Sequence, residues 1–160
     1  MAQSNAGITA GIRSMIVPLE QELMLLPGSV IAEVVPYTEP APAPANVPAW
    51  LLGMIPWRGQ HVPLVSVEAF VSGGVAPAPS SSSRVAIIKT LDATLGFPFY
   101  GLLTRQIPRL VSVLPEAVAP LAADAPPRRR IAADLLLNGE RMMIPDVEAL
   151  EAGLWAVLHV

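Results

Sequence analysis

Residues 50–65 read "WLLGMIPWRGQHVPLV", two apolar runs joined at Trp57-Arg58-Gly59, with Arg58 the one Lys, Arg, Asp or Glu among them. Gly59 supplies the permissive backbone of a tight reversal, so the stretch reads as strand, turn and strand. Pro63 has no N–H for a central ladder, which predicts an edge strand or a bulge there. An arginine beside a tryptophan in a turn has the composition of a protein–protein contact, and equally of a loop that grips an anion.

Outward from this hairpin the same texture repeats. Short β-rich blocks occur at 13–20, 29–35, 50–56, 61–67, 84–90, 97–104, 108–114, 130–138 and 141–147. Regularly spaced runs of Val, Ile, Leu and aromatic residues bounded by turn formers predict an all-β barrel or sandwich. These blocks are too numerous for one five-stranded barrel. Asn138-Gly139 is a strong hairpin turn, and Pro27-Gly28 suits the middle of a type II turn. Pro/Ala and Pro/Ser segments at 36–48, 72–83 and 115–127 read as loops or linkers, the serine tract within 72–83 being the most mobile.

The C-terminal stretch "DVEALEAGLWAVLHV" (146–160) changes period. Asp146 can cap a helix, Glu148 and Glu151 suit its first turns, and Leu150, Leu154 and Leu158 share one face. Gly153 weakens this helix, whose first turns are expected to dock on the barrel.

Composition narrows the function classes. With 160 residues the chain suits one domain or two small subdomains sharing a core. Hydrophobic residues make up 52% and charged residues 14%, at a mean hydropathy of +0.52, so the chain buries most of itself or covers its surface with partners. Zero cysteines exclude disulfides, thiolate nucleophiles and cysteine-ligated metals, and make a reducing cytoplasm the expected compartment. The N-terminal residues lack the pattern of a secretory signal. The longest uncharged window, Pro40 to Trp57, contains five prolines and could not satisfy its backbone in hydrocarbon. A soluble protein without membrane insertion is expected. Net charge is −3, and the short basic run Arg128-Arg129-Arg130 reads as a solvated loop, not a nucleic-acid groove.

Chemistry-bearing patterns are sparse. His61 and His159 are the only histidines, and neither stands at a metal-ligand spacing from an acid, so no metal or cofactor is expected. No phosphate-cradling glycine loop and no G-x-S-x-G elbow occurs. Glu20 with Glu22, and Glu148 with Glu151, are expected in solvent. No catalytic residue is assigned, and an enzyme is not expected. Trp50 reads as a core anchor, Trp57 suits either core or a contact surface, and Trp155 suits the margin of the helix stripe.

Together these blocks resemble the CheW-like domains, the chemotaxis coupling proteins. In residues 49–67 the signature hairpin is matched by Gly53, Arg58, Gly59, Val62, Pro63, Leu64 and Val65. "VIAEVV" (30–35) is similar to a family strand through Ile31, Glu33 and Val34; residues 99–118 are similar to the mid-domain strand pair, and 138–150 to the closing hairpin and terminal helix. The resemblance covers about residues 13–152. The chain departs from the pattern at Pro56, where an asparagine is usual, and at Ser66 and Thr104, where aspartates are usual. These departures suggest a divergent member, of a pilus-linked or otherwise alternative chemosensory array involved in twitching motility.

The resemblance implies an all-β fold of two small five-stranded barrels over a shared core, with a short C-terminal helix. It divides the chain into a flexible N-terminus (1–12), the domain proper (13–152, with a mobile loop at 72–83) and a helix end or tail (153–160). It implies a cytoplasmic, non-enzymatic adaptor bridging a chemoreceptor's cytoplasmic tip and the regulatory domain of a CheA-like sensor histidine kinase. The candidate partner-binding residues are Ile31, Val34, Trp57, Arg58, Gly59, Val62 and Leu64. Alternation along a strand places some of the apolar ones in the core instead. A competing reading is a small-ligand-binding β-barrel in which Trp57 and Arg58 hold an anionic group.

Overall fold

The computed structural model describes residues 11–159. Most of the expected N-terminal segment (1–12), together with Val160, lies outside the described residues.

The chain forms two six-stranded sheets. The first contains β1 (Ile12–Pro18), β2 (Leu23–Pro27), β9 (Arg109–Val113), β10 (Val118–Pro120), β11 (Ile131–Leu137) and β12 (Glu140–Pro145), in the order β10-β11-β12-β2-β1-β9. The second contains β3 (Ile31–Pro36), β4 (Ala41–Pro42), β5 (Leu51–Trp57), β6 (Gln60–Val65), β7 (Arg84–Lys89) and β8 (Phe99–Thr104), in the order β3-β7-β8-β6-β5-β4. Neighbours are antiparallel except β12 with β2 and β6 with β8. All nine expected blocks contain a strand; β2, β4 and β10 are additional, and are short or rich in Leu and Pro instead of β-branched residues.

Each sheet curls around its own apolar interior, and a third cluster lies between them. Ile16, Leu25, Leu137 and Met142 fill the first barrel, while Ile55, Trp57, Val62, Leu64, Val85 and Ile87 fill the second. The shared cluster joins Val17, Met24 and Leu26 to Val65, Phe70, Ile88 and Tyr100. Burying these side chains at roughly 25 cal/mol per Å² is what holds the two barrels together.

A repeat underlies this architecture. Both β5–β6 and β11–β12 turn through two residues with positive φ, Arg58-Gly59 at 47° and 76° and Asn138-Gly139 at 51° and 82°, the backbone of a type I′ turn. Each hairpin is followed by a helix, α1 (Val67–Ser72) or α2 (Val147–Leu158). The caps are equivalent: Ser66 Oγ accepts from Ala69 N–H at 3.2 Å, and Asp146 Oδ1 accepts from Ala149 N–H at 3.0 Å. The underlying sequence is "SVEAF" (66–70) in one half and "DVEAL" (146–150) in the other.

Two local expectations, at Pro63 and Gly28, are corrected. Pro63 does not mark an edge: β6 lies between β5 and β8, with Pro63 opposite Met54 and the register with β8 confined to Leu64 and Val65. Gly28 lacks the positive φ of a type II turn and opens a 3-10 turn over Gly28–Val30. The serine tract carries defined contacts: Ser80 N–H donates to Ser83 Oγ at 2.9 Å, Ser82 Oγ donates to Arg105 O at 3.1 Å, and Ser83 is buried.

Glu151 is 1% exposed, not solvated. Its carboxylate accepts from Leu91 N–H, Asp92 N–H and the Tyr100 hydroxyl at 2.9–3.1 Å, which fastens α2 to the β7–β8 connection. Burial, then the Glu151 charge and its hydrogen bond, push the Tyr100 phenol well above its ordinary range. Gly153 has a packing reason: a Cβ there would stand 3.2 Å from Trp50 Cζ2, so the glycine opens the notch in α2 that this tryptophan fills.

The basic run is structural as well. Arg128 donates to both oxygens of Asp134 and both of Glu22, at 2.7–3.2 Å. Those bonds hold Asp134 below the usual carboxylate range against its desolvation. Arg130 donates to Phe70 O at 2.8 Å with its guanidinium 4.6 Å from the Phe70 ring, joining the end of α1 to the first barrel. Arg129 alone of the three is exposed.

Candidate functional site

The candidate partner-binding residues separate by strand face. On β5 the alternation turns Leu51, Gly53, Ile55 and Trp57 inward, with Pro56 exposed. On β6 the residues from Val62 to Val65 are buried on both faces of the strand, while His61 is exposed. Val62 and Leu64 are 1% and 0% exposed inside the second barrel, so both are corrected from contact residues to core. Trp57 is 7% exposed and packs on Phe99 with ring centroids 4.7 Å apart, so its ring offers little face to a partner. Ile31 and Val34 are half-buried on β3, and Gly59 is exposed beside Arg58.

The turn is braced across the barrel. Glu33, on β3, accepts from Trp57 Nε1–H at 3.0 Å through Oε1, and Arg58 Nη2 stands 3.0 Å from the same oxygen. The guanidinium also lies 5.0 Å from the Trp57 ring. The Arg58 side chain is 68% exposed and that of Glu33 37%, so the pair is solvent-screened and contributes about 0–1 kcal/mol. The sequence brings Glu33, Trp57 and Arg58 together because both hairpin strands and β3 bound the same interior. Spacing alone did not show that Glu33 serves the turn.

At position 66 the departure keeps the capping acceptor, whereas at 104 a hydroxyl donor stands where an aspartate would only accept. Ser66 caps α1 with a short oxygen side chain. The Thr104 hydroxyl is buried and donates to Gln106 O at 2.7 Å.

An open groove of about 660 Å³ runs between the β1–β2 turn, α1 and the basic segment. Val71, Val75 and Pro77 contribute apolar surface, with Glu20, Glu68 and Arg129 among its charged lining. None of the candidate contact residues lines it. Elsewhere Leu110, Ile107, Leu91 and Trp155 are large apolar side chains left exposed. No group of three His, Asp or Glu among the described residues could hold a metal ion, and none of their helices is long and apolar enough to cross a membrane.

The model of the CheW-like domain matches residues 13–152. This chain belongs to the CheW-like domain family. The CheW-like domain also superposes on the scaffolding protein TtCheW from Thermoanaerobacter tengcongensis, with a TM-score of 0.66 and 18% identity over 84% of each chain. At that identity the likeness is one of fold. No curated protein sequence matches the chain. Two curled sheets, a shared core and a C-terminal helix are the arrangement that the resemblance implied.

Proposed function

We propose that this CheW-like domain is a non-enzymatic adaptor that couples a chemoreceptor's cytoplasmic tip to the regulatory domain of a CheA-like sensor histidine kinase. The observation that carries this reading is family membership over residues 13–152. The geometry adds support. Arg58 is held at a hairpin apex as an exposed cation, and exposed apolar side chains such as Leu110 and Ile107 remain on the barrel surface. A cation at a surface apex steers and orients an acidic partner, and exposed apolar side chains supply surface for a buried contact.

Ile31, Val34, Arg58 and Gly59 remain the proposed contact residues. The receptor's helical hairpin would lie in a groove between the barrels, and the kinase's own small barrel would pack against one of them. The competing small-ligand reading gains nothing from the site: the barrel interior holds side chains and Trp57 is turned into it.

Titration of the purified protein against receptor-tip and kinase regulatory-domain fragments tests the reading. Saturable binding to one or both is expected, weakened when Arg58→Gln removes the cation. Background signal with every candidate fragment from the same genome would overturn it.

A further inference from the structure

The turn at Arg58 holds more than a brace needs. A type I′ turn favours Asn-Gly, which the equivalent hairpin has at Asn138-Gly139, whereas here an arginine occupies the left-handed position at φ 47°. Arginine has no local hydrogen bond to offset that conformation, so its presence points to a use for the side chain. Its guanidinium is the more exposed member of the pair with Glu33. Glu33, however, does not depend on it: the Trp57 indole N–H donates to the same Oε1 from a ring that is itself buried and fixed against Phe99.

Resting on the adaptor reading, we propose that Trp57 is a positioning residue that seats Glu33 permanently, leaving Arg58 free to exchange its internal carboxylate for an acidic side chain of the partner. When Arg58 swings out, Glu33 keeps the neutral N–H donor and its remaining exposure to water. The internal pair therefore competes only weakly with the partner's carboxylate, and the cation crosses from one anion to another at little cost. Pro56 sets φ in the strand just before the turn. Where an aliphatic residue replaces the tryptophan, no N–H would hold Glu33, and Arg58 would be its sole side-chain donor.

The test measures affinity for the receptor-tip and kinase regulatory-domain fragments in wild type, Arg58→Gln, Trp57→Phe, Glu33→Gln and the double Trp57→Phe/Glu33→Gln, each at low and high salt. Arg58→Gln is expected to weaken binding about fivefold and to flatten the salt dependence. Trp57→Phe keeps the ring but not the N–H, and is expected to weaken binding about threefold, because Glu33 then retains Arg58. Adding Glu33→Gln, which removes the competing charge, should restore wild-type affinity, a rescue that a merely structural tryptophan would not show. Glu33→Gln alone leaves Trp57 in place and should bind as tightly as wild type or tighter. It keeps the idea testable should Trp57→Phe prove unfolded in a melting experiment.

If wild type binds neither fragment, the adaptor reading fails and this inference with it. If wild type binds but Arg58→Gln or Trp57→Phe matches it, if the double variant is not restored, or if Glu33→Gln weakens binding, the inference alone is overturned.

Discussion

Replacing Glu151 with leucine separates hydrogen bonding from packing as the force that docks the C-terminal helix. The carboxylate is 1% exposed and receives Leu91 N–H at 3.1 and 2.9 Å, Asp92 N–H at 3.1 Å and the Tyr100 hydroxyl at 2.9 Å. Leucine has a similar volume but accepts nothing, which orphans the buried Tyr100 hydroxyl and the Leu91 N–H. Each orphan costs about 1–3 kcal/mol, so Glu151→Leu should lose about 2–6 kcal/mol. For a domain of this size that lowers the melting temperature by about 10 °C. Glu151→Gln should lose only about 1 kcal/mol. Its amide oxygen can still receive Leu91 and Asp92, and its NH₂ can face Tyr100, whose hydroxyl turns from donor to acceptor. Removing the orphan as well, in Tyr100→Phe/Glu151→Leu, should recover about 1 kcal/mol relative to Glu151→Leu alone. Urea unfolding with a constant m-value reads these differences. A Glu151→Leu protein as stable as wild type would refute the hydrogen-bonded anchor and show that apolar packing alone holds the helix, as happens at some buried ion pairs.

Gly53 lies at φ 141° where β4 crosses β5, and any Cβ there meets the Ala41 carbonyl oxygen. Gly53→Ala should cost at least about 2 kcal/mol in the same unfolding assay and raise hydrogen exchange at Ala41. The depressed Asp134 pKa has a definite sign for stability. A carboxyl depressed in the fold stabilises above its unfolded value and loses that contribution as pH falls through its folded value. The stability difference between wild type and Asp134→Asn should therefore be flat near neutrality and shrink below about pH 4; a difference independent of pH down to 2 would contradict the network. Arg58→Asn relieves the left-handed backbone while losing a solvent-screened ion pair, so the melting temperature should change by less than about 2 °C while partner affinity falls.

Much of the architecture was legible because strand signals are local. The nine blocks of Val, Ile and Leu, the Asn138-Gly139 turn and the leucine stripe of α2 each follow from one window of sequence. What escaped reading was long-range. Leu23–Pro27 and Ala41–Pro42 become strands through their neighbours, against weak local propensity. Arg128, Arg130 and Glu151 look like solvated charges until partners distant in sequence, Glu22, Phe70 and Leu91, come beside them. At the site, strand alternation alone could not say which face of the Val62–Leu64 strand was outside. The answer was that neither is, since apolar clusters cover both sides. One missed signal was present in the letters: "SVEAF" at 66–70 and "DVEAL" at 146–150 mark a repeat that predicts a helix after each hairpin.

The central claim is that the chain works by holding other proteins together. Its most direct measurement is a calorimetric titration of the full chain with the kinase regulatory domain and with the receptor tip, then of a mixture of all three. Binding of both at once, with a ternary complex that loses stability in Arg58→Gln, is the predicted result. Binding of neither fragment, together with a saturable thermal shift on adding a small anionic metabolite, would contradict it.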